Sequence, residues 1–329
     1  MGVHATEIDL QGNNLTDFIM PKAFFGASKY LMSLNLAWSN ITSLRNRVFR
    51  GMLNLRNLTL AENRLRHLSP YIFQDLRSVE KISLAGNPLH ELPSAIFRYQ
   101  ANLRELDLGY CSITWIPWHL FSGLWNLQTL DLRGNSIQSL ALYTFGDLMS
   151  LHTLQLSHNR IRRLQSGVFK GLRNLQVLKL EEGPLEDIDY DVFRDTKHLV
   201  DLDLGDNRLT TLRVGTLLIP PLTHLRLDGN ALRSVPHECT VQELVNLEFL
   251  NLRENPFMCD CSLFWLKEYE RKLMRRWDDP TKPIPLVPGT CHAPAHLKGV
   301  VVTRWLDLDC LKRQHQKRAI HSCHRFWYW

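Results

Sequence analysis

The sequence predicts an α/β solenoid: a horseshoe with a parallel β-sheet on its concave side and a disulfide-bonded cap at its C-terminal end. Three observations lead there. An apolar template recurs every 24 residues along most of the 329-residue chain, nearly every copy carries an asparagine at one fixed place, and four cysteines follow the last copy.

The template is clearest from Leu127 to Ser150, where Leu127, Leu130, Leu132, Ile137, Leu140, Phe145 and Leu148 are apolar and Asn135 is the polar fixture. Its first part alternates with period two, which reads as a very short strand. Gly134-Asn135 then signals a turn, and the looser spacing beyond it suits neither a strand nor a long helix. One such unit has an apolar edge and nothing to bury it against, so copies must stack. The L-x-x-L-x-L-x-x-N pattern at this period is a leucine-rich repeat. Units begin at Ala5, Leu31, Leu55, Val79, Leu103, Leu127, Leu151, Leu175, Leu199, Leu222 and Leu247, about eleven over residues 1–256.

The residue types follow from the stacking. Strand leucines point inward against those of neighbouring units. The asparagines at 13, 63, 87, 135, 159, 207, 230 and 255 sit where the chain leaves the sheet, placed to bond backbone groups that the turn removes from the ladder. Ser39, Cys111 and Gly183 replace them in three units. Gly183 loses the bond, so its unit should be the softest. Phe49, Phe73, Phe97, Phe121, Phe145, Phe169 and Phe193 form a second column on the convex side, with Leu217 next in line. Each buried Phe contributes roughly 2–3 kcal/mol.

Composition agrees with one elongated domain, since a solenoid has no size limit of the globular kind. The net charge of +6 invites a nucleic-acid reading until it is located. Lys312, Arg313, Lys317, Arg318 and Arg325 lie in a tail without acids, leaving the body at +1. A nearly neutral body argues against a phosphate-binding surface and against nucleic acid as the partner.

Cys259, Cys261, Cys291 and Cys310 follow the last repeat. They could form two disulfides, or a metal site with His292 and His296; four cysteines allow three pairings and spacing does not choose. The run Pro256-Phe257-x-Cys259-Asp260-Cys261, followed by Leu263, Trp265, Leu266 and two later cysteines, resembles the C-terminal cap of extracellular leucine-rich repeat proteins. About 310 of the 329 residues are similar to the 24-residue class of that family, the group of Slit, Toll-type and chaoptin-like ectodomains. The resemblance implies the pairs Cys259–Cys291 and Cys261–Cys310, a cap over 257–310, and no metal or other cofactor. A helix from Ser262 to about Trp277 would lay Leu263, Leu266 and Leu273 over the open end of the core. Cys111 reads as a structural thiol, while Cys239 and Cys323 are uninformative.

Disulfides persist in an oxidising compartment, so the folded part is expected to be extracellular, secreted or on the cell surface. Sequons at Asn14, Asn40 and Asn57 agree with that. Asn14 and Asn40 should face outward on a loop, whereas Asn57 should point from a strand into the concave face. There is no signal peptide and no apolar run near 18 residues, so membrane attachment stays open. Met1 opens almost directly into a strand, which implies that the array's N-terminal cap is missing from this sequence. Residues 311–329 read as a basic, disordered tail.

Function should lie in the concave surface, because a fold of this kind carries function only in its surface residues. The outward strand positions and those just beyond them hold Asp107, Tyr110, Asp131, Arg133, Gln155, His158, Lys179, Glu181, Asp201, Asp203, Asp206 and Arg226, acidic overall in the fifth to ninth units. Aligned like charges repel unless neutralised, which points to a basic protein ligand, with Tyr110 as an aromatic anchor. The plain alternative is a sheet kept soluble by its charges. Asp107 beside Asp131 suggests a catalytic dyad, but an open sheet gives them solvent and no pocket, and no catalytic motif occurs. A calcium site among Asp201, Asp203 and Asp206 is the other alternative. The expected activity is protein recognition of adhesion, guidance or receptor type; a non-catalytic carrier subunit of a circulating complex is the second reading.

Overall fold

The computed structural model describes residues 5–16, 28–213, 215–217, 219, 221–235, 246–263, 265–276 and 286–305. Eleven coils, numbered here from the N-terminal end, each supply one three-residue strand: Glu7–Asp9, Ser33–Asn35, Asn57–Thr59, Lys81–Ser83, Glu105–Asp107, Thr129–Asp131, Thr153–Gln155, Val177–Lys179, Asp201–Asp203, His224–Arg226 and Phe249–Asn251. All pair in parallel and in register, Leu130 opposite both Leu106 and Leu154. Leu286–Val287, from the cap, adds a twelfth strand beside Phe249–Asn251. From coil 2 onward the central residue of each repeat strand is buried, and stacking makes one continuous core along the array.

Asparagine holds the exits from this sheet. Asn135 donates from Nδ2 to the carbonyls of Leu108 in the preceding coil and Leu132 in its own, each at 2.9 Å. Its Oδ1 accepts the N–H groups of Cys111 and Ile113. One buried side chain thus satisfies four backbone groups across two coils. Asn63, Asn87, Asn159, Asn207, Asn230 and Asn255 bridge in the same way. Among the described residues Asn13 bonds only within its own coil. Ser39 keeps the donor half, giving its hydroxyl to the carbonyls of Leu10 and Ala37.

Gly183 has no side chain to offer, and among the described residues the N–H of Ile161 finds no acceptor. The softness this implies is offset on the outer side of the same coils. There Arg163–Leu164 pairs in parallel with Asp187–Ile188. Asp189 accepts the Ser166 N–H at 2.9 Å and takes the Arg163 guanidinium at 2.8 Å.

A second ladder runs along the side where the chain re-enters the sheet. Asn54, Asn102, Asn126 and Asn174 donate to the carbonyls of Lys29, Arg77, Ala101 and Met149 at 2.8–2.9 Å. The convex phenylalanines are buried, with neighbouring rings such as Phe73–Phe97 and Phe145–Phe169 5.7 and 6.4 Å apart. Among the described residues the one α-helix is Trp265–Arg276, in the cap, where Leu263, Trp265, Leu266 and Tyr269 are buried against the last coil. Trp277 lies outside the described residues. Cys259 and Cys291 are bonded across 32 residues, a closure that stabilises by roughly 3–4 kcal/mol in the chain-entropy picture. Cys261 is also disulfide-bonded. Its expected partner Cys310 lies outside the described residues, as do Cys239, Cys323 and the tail. No helix among the described residues is long and apolar enough to cross a membrane.

Candidate functional site: the concave sheet

Each strand turns its first and third residues to the concave side, and with adjacent strands about 4.8 Å apart the eleven repeat strands span roughly 50 Å. Third-position acids do a local task that the sequence did not disclose. Asp107, Asp131 and Asp203 each accept the N–H two residues on, from Gly109, Arg133 and Gly205, at 2.9–3.0 Å. Asp9, Asn35 and Asn251 do the same. The side chain thereby closes an Asx turn as the chain leaves the sheet. Asp131 and Asp203 are only 9% and 6% exposed.

The acidic run also carries its own cations, which corrects the picture of uncompensated aligned charge. Arg133 Nε donates to Asp131 at 2.6 Å. The same bond raises the pKa of Arg133 further. Lys179 Nζ stands 2.7 Å from Asp201 and 3.8 Å from Asp203. Arg226 approaches Asp203 from the other neighbouring strand at 3.7 Å. Register explains both contacts, since Asp203 is paired with Lys179 on one side and Arg226 on the other. The ammonium of Lys179 also occupies the place where calcium would need to bridge Asp201 and Asp203. No group of three or more His, Cys, Asp or Glu among the described residues could hold a metal ion. Asp107 and Asp131 are register partners, but each is engaged elsewhere, Asp107 also by the Ser83 hydroxyl at 3.0 Å.

Charge without a cation remains on the rim. Glu181 has one buried carboxylate oxygen with no hydrogen-bond partner, and so has Asp228. Burial raises the pKa of Asp203, with Glu181 adding to the rise, and burial likewise raises that of Asp228. Asp206 is exposed, and exposed Glu182 meets His158 at 3.2 Å. Gln155 is half-buried on its strand.

The residue before each ladder asparagine, or its substitute, adopts left-handed backbone. Trp38, Glu62, Tyr110, His158, Glu182, Asp206 and Glu254 do so at φ of 50–58°, a conformation that costs a non-glycine residue roughly 1 kcal/mol or more. Glycine takes the position at 12, 86, 134 and 229, and at the last three the preceding coil's side chain lies over it. A Cβ at Gly134 would collide with the Tyr110 ring, and one at Gly86 or Gly229 with Glu62 or Asp206. Tyr110, 56% exposed, is therefore a ring laid on a glycine at the middle of the rim. At the C-terminal end Phe249 stacks on His224, with the Arg226 guanidinium 5.8 Å from its ring.

The sequons fall in two settings. Asn57 is exposed on its strand. Asn40 instead donates its amide to Asn14 Oδ1 and Thr16 Oγ, and its own oxygen is buried. Asn14 accepts the Thr16 hydroxyl at 2.7 Å.

The profile of the family described as "Leucine rich repeat" matches residues 29–89, 101–161, 149–209 and 173–232. Mouse SLIT and NTRK-like protein 5 is 35% identical over 95 residues, 29% of this chain and 8% of that protein. Mouse high affinity nerve growth factor receptor is 47% identical over 53 residues, 16% of this chain and 6% of its own length. The matches therefore span less than a tenth of these relatives. Among solved structures, a chain of the octameric complex of Latrophilin 3, Unc5D and FLRT2 superposes with a TM-score of 0.76 at 23% identity, over 94% of this chain and 92% of that one. An LRR protein of Leptospira interrogans gives 0.67 at 28% identity, over 79% and 62%.

Proposed function

The chain belongs to the leucine rich repeat family, and we propose that it is an extracellular or cell-surface recognition module that binds a protein ligand on its concave face. The observation that carries this reading is the preorganised rim: Tyr110 held over Gly134, with exposed Glu182 and Asp206 fixed in left-handed backbone on the same edge. Side chains already fixed lose little entropy on binding, and a half-exposed tyrosine is a common interface anchor. The disulfide supports the compartment. The receptor-type names of the relatives above support the class of activity.

The ligand we infer is basic. Asp131, Asp201 and Asp203 are matched by Arg133, Lys179 and Arg226, so recognition falls to Glu181, Glu182, Asp206 and Asp228, around coils 8 to 10. Their charges are screened over about 8 Å at physiological ionic strength, which makes association salt-sensitive.

The test is a binding screen of the multimerised chain against a panel of secreted and cell-surface ectodomains. A bound ectodomain should be lost with Tyr110→Ala plus Glu182→Lys, and its association should slow as salt rises. If every hit binds that double variant as it binds wild type, the concave rim is not the site.

A further inference from the structure

The near-neutral body conceals a strong separation of charge on the outer side of the solenoid. Coil 2 carries Arg45, Arg47 and Arg50 there, and coil 3 carries Arg64 and Arg66. All five are exposed. None has an ion-pair partner among the described residues, whereas four arginines from the equivalent stretches of coils 7 and 9 are paired with acids of coil 8: Arg162 and Arg208 with Glu186, and Arg163 and Arg213 with Asp187 and Asp189. Residues 39–54 contain no acid at all, and 63–78 contain only Asp75.

The arginines form one band. The 24-residue register sets Arg64 beside Asn40 and Arg66 beside Thr42, and the Arg64 N–H bonds the Ile41 carbonyl of coil 2 at 2.9 Å. Arg45 follows Thr42 by three residues. On the convex side the same two coils stack Phe49 on Phe73 at 6.3 Å. Arginines on adjacent coils so placed repel one another, and nothing within the described chain relieves them.

We propose that the outer face of coils 2 and 3 binds a linear polyanion, a sulfated polysaccharide. The guanidinium fork matches sulfate and carboxylate in paired hydrogen bonds. A band of arginines across two coils suits a repeating anion better than a single small one. The Cys259–Cys291 bond points to an oxidising compartment, where sulfated polysaccharides are the abundant extended polyanions. Single-stranded nucleic acid would want a run of stacking aromatics, and within residues 39–54 and 63–78 Tyr71, beside Arg47 in register, is the one exposed tyrosine, phenylalanine or tryptophan.

The probe is a size-defined heparin oligosaccharide, used on the full chain after enzymatic removal of N-glycans, because a sugar on Asn40 would stand beside Arg64. Wild type should bind at 0.15 M salt and release steeply as salt rises. Arg45→Ser with Arg64→Ser and Arg66→Ser should weaken binding at least tenfold without altering the melting temperature. Arg162→Ser with Arg208→Ser should bind within twofold of wild type. The basic stretch 311–329 is unchanged in all variants, so an unaffected triple variant overturns the proposal and moves the site to the tail. So does equal binding of desulfated heparin, or stronger binding of a single-stranded RNA of equal charge. Tyr110→Ala with Glu182→Lys should leave heparin binding intact, which separates this site from the concave one.

Discussion

Coil 6 and coil 8 perform the same junction in different ways. In coil 6 a single buried asparagine, Asn135, satisfies backbone groups in two coils from the inside. In coil 8 Gly183 leaves that interior place empty. The attachment moves to the outside, through the short Arg163–Leu164 and Asp187–Ile188 pairing and the Arg163, Asp189 and Arg213 ion group. The first solution is buried and indifferent to pH and salt. The second is partly exposed, charged and sensitive to both. A repeat array thus keeps its shape through the loss of its signature residue, provided that neighbouring coils can pair elsewhere, and the exchange alters what perturbs the local stability.

The largest effect should come from Asn135→Ala. It leaves buried carbonyls and N–H groups in two coils without partners, at a cost of about 2–4 kcal/mol. Native-state hydrogen exchange should show the loss concentrated in coils 5 and 6, because each repeat contacts only its neighbours. A loss below about 1 kcal/mol would mean that the interior ladder is not what distinguishes the two coils.

Next in size is a difference of sign with pH. Backbone donation from Ser166, then Arg163, lowers the pKa of Asp189. Its contribution is present above the unfolded value of about 3.9 and is lost as pH falls through the lower folded value. Burial raises that of Asp203, so ionising Asp203 costs stability as pH rises through the unfolded and then the folded value. Relative to wild type, Asp189→Asn should therefore gain on acidification from pH 6 to 3, whereas Asp203→Asn should lose. Asn keeps an acceptor for the Gly205 N–H, so the second variant tests the charge. Urea melts across that range give both slopes, and parallel slopes would break the distinction between inner and outer acids.

Gly183→Asn is a smaller perturbation, and its outcome shows how far coil 8 has adapted. The new Cβ would stand 3.0 Å from Asn207 Oδ1, which already accepts the Leu185 N–H. The added asparagine could serve Ile161, but only by pushing its neighbour aside. A change within about 1 kcal/mol of wild type is expected, since one net hydrogen bond is of that size. Stabilisation by more than 2 kcal/mol would show that coil 8 is merely a defective coil 6.

The repeat, the strands and the asparagine ladder were legible because each needs only a period and a residue type. The second ladder had a signal as well, the asparagine before the first leucine at 54, 102, 126 and 174, but the same turn-forming residue fits any exposed loop. Ion pairs on the concave face follow from reading one coil ahead. Lys179 and Arg226 both reach Asp203 because they are its register partners on the two neighbouring strands, and a list of charges by face conceals that. The left-handed column was not readable, since Trp38 and Tyr110 are unlike the residues that favour such backbone. The glycines at 12, 86, 134 and 229, with His158 and Asp206, were the signals for it in the same column.

The smallest effect is expected at Cys111, which joins the comparison as a third way to fill the asparagine position. Its thiol donates weakly to the carbonyls of Leu84 and Gly109 at 3.3 and 3.4 Å, and its N–H is held by Asn135. Ser39 makes the corresponding bonds through oxygen at 3.0 Å, so Cys111→Ser should change stability by less than about 1 kcal/mol. Burial pushes the Cys111 pKa up to about 12. At pH 8 roughly one molecule in ten thousand then carries the thiolate that alkylating agents require. Iodoacetamide should leave Cys111 unmodified in the native protein and modify it fully in urea, as read by peptide mass spectrometry. Asn135→Ala removes the side chain that holds the Cys111 N–H, so in that variant native-state labelling should speed up. Rapid native labelling of the wild-type thiol would mean that this junction opens freely, and that a sulfur in the asparagine place does not seal the coil as serine does.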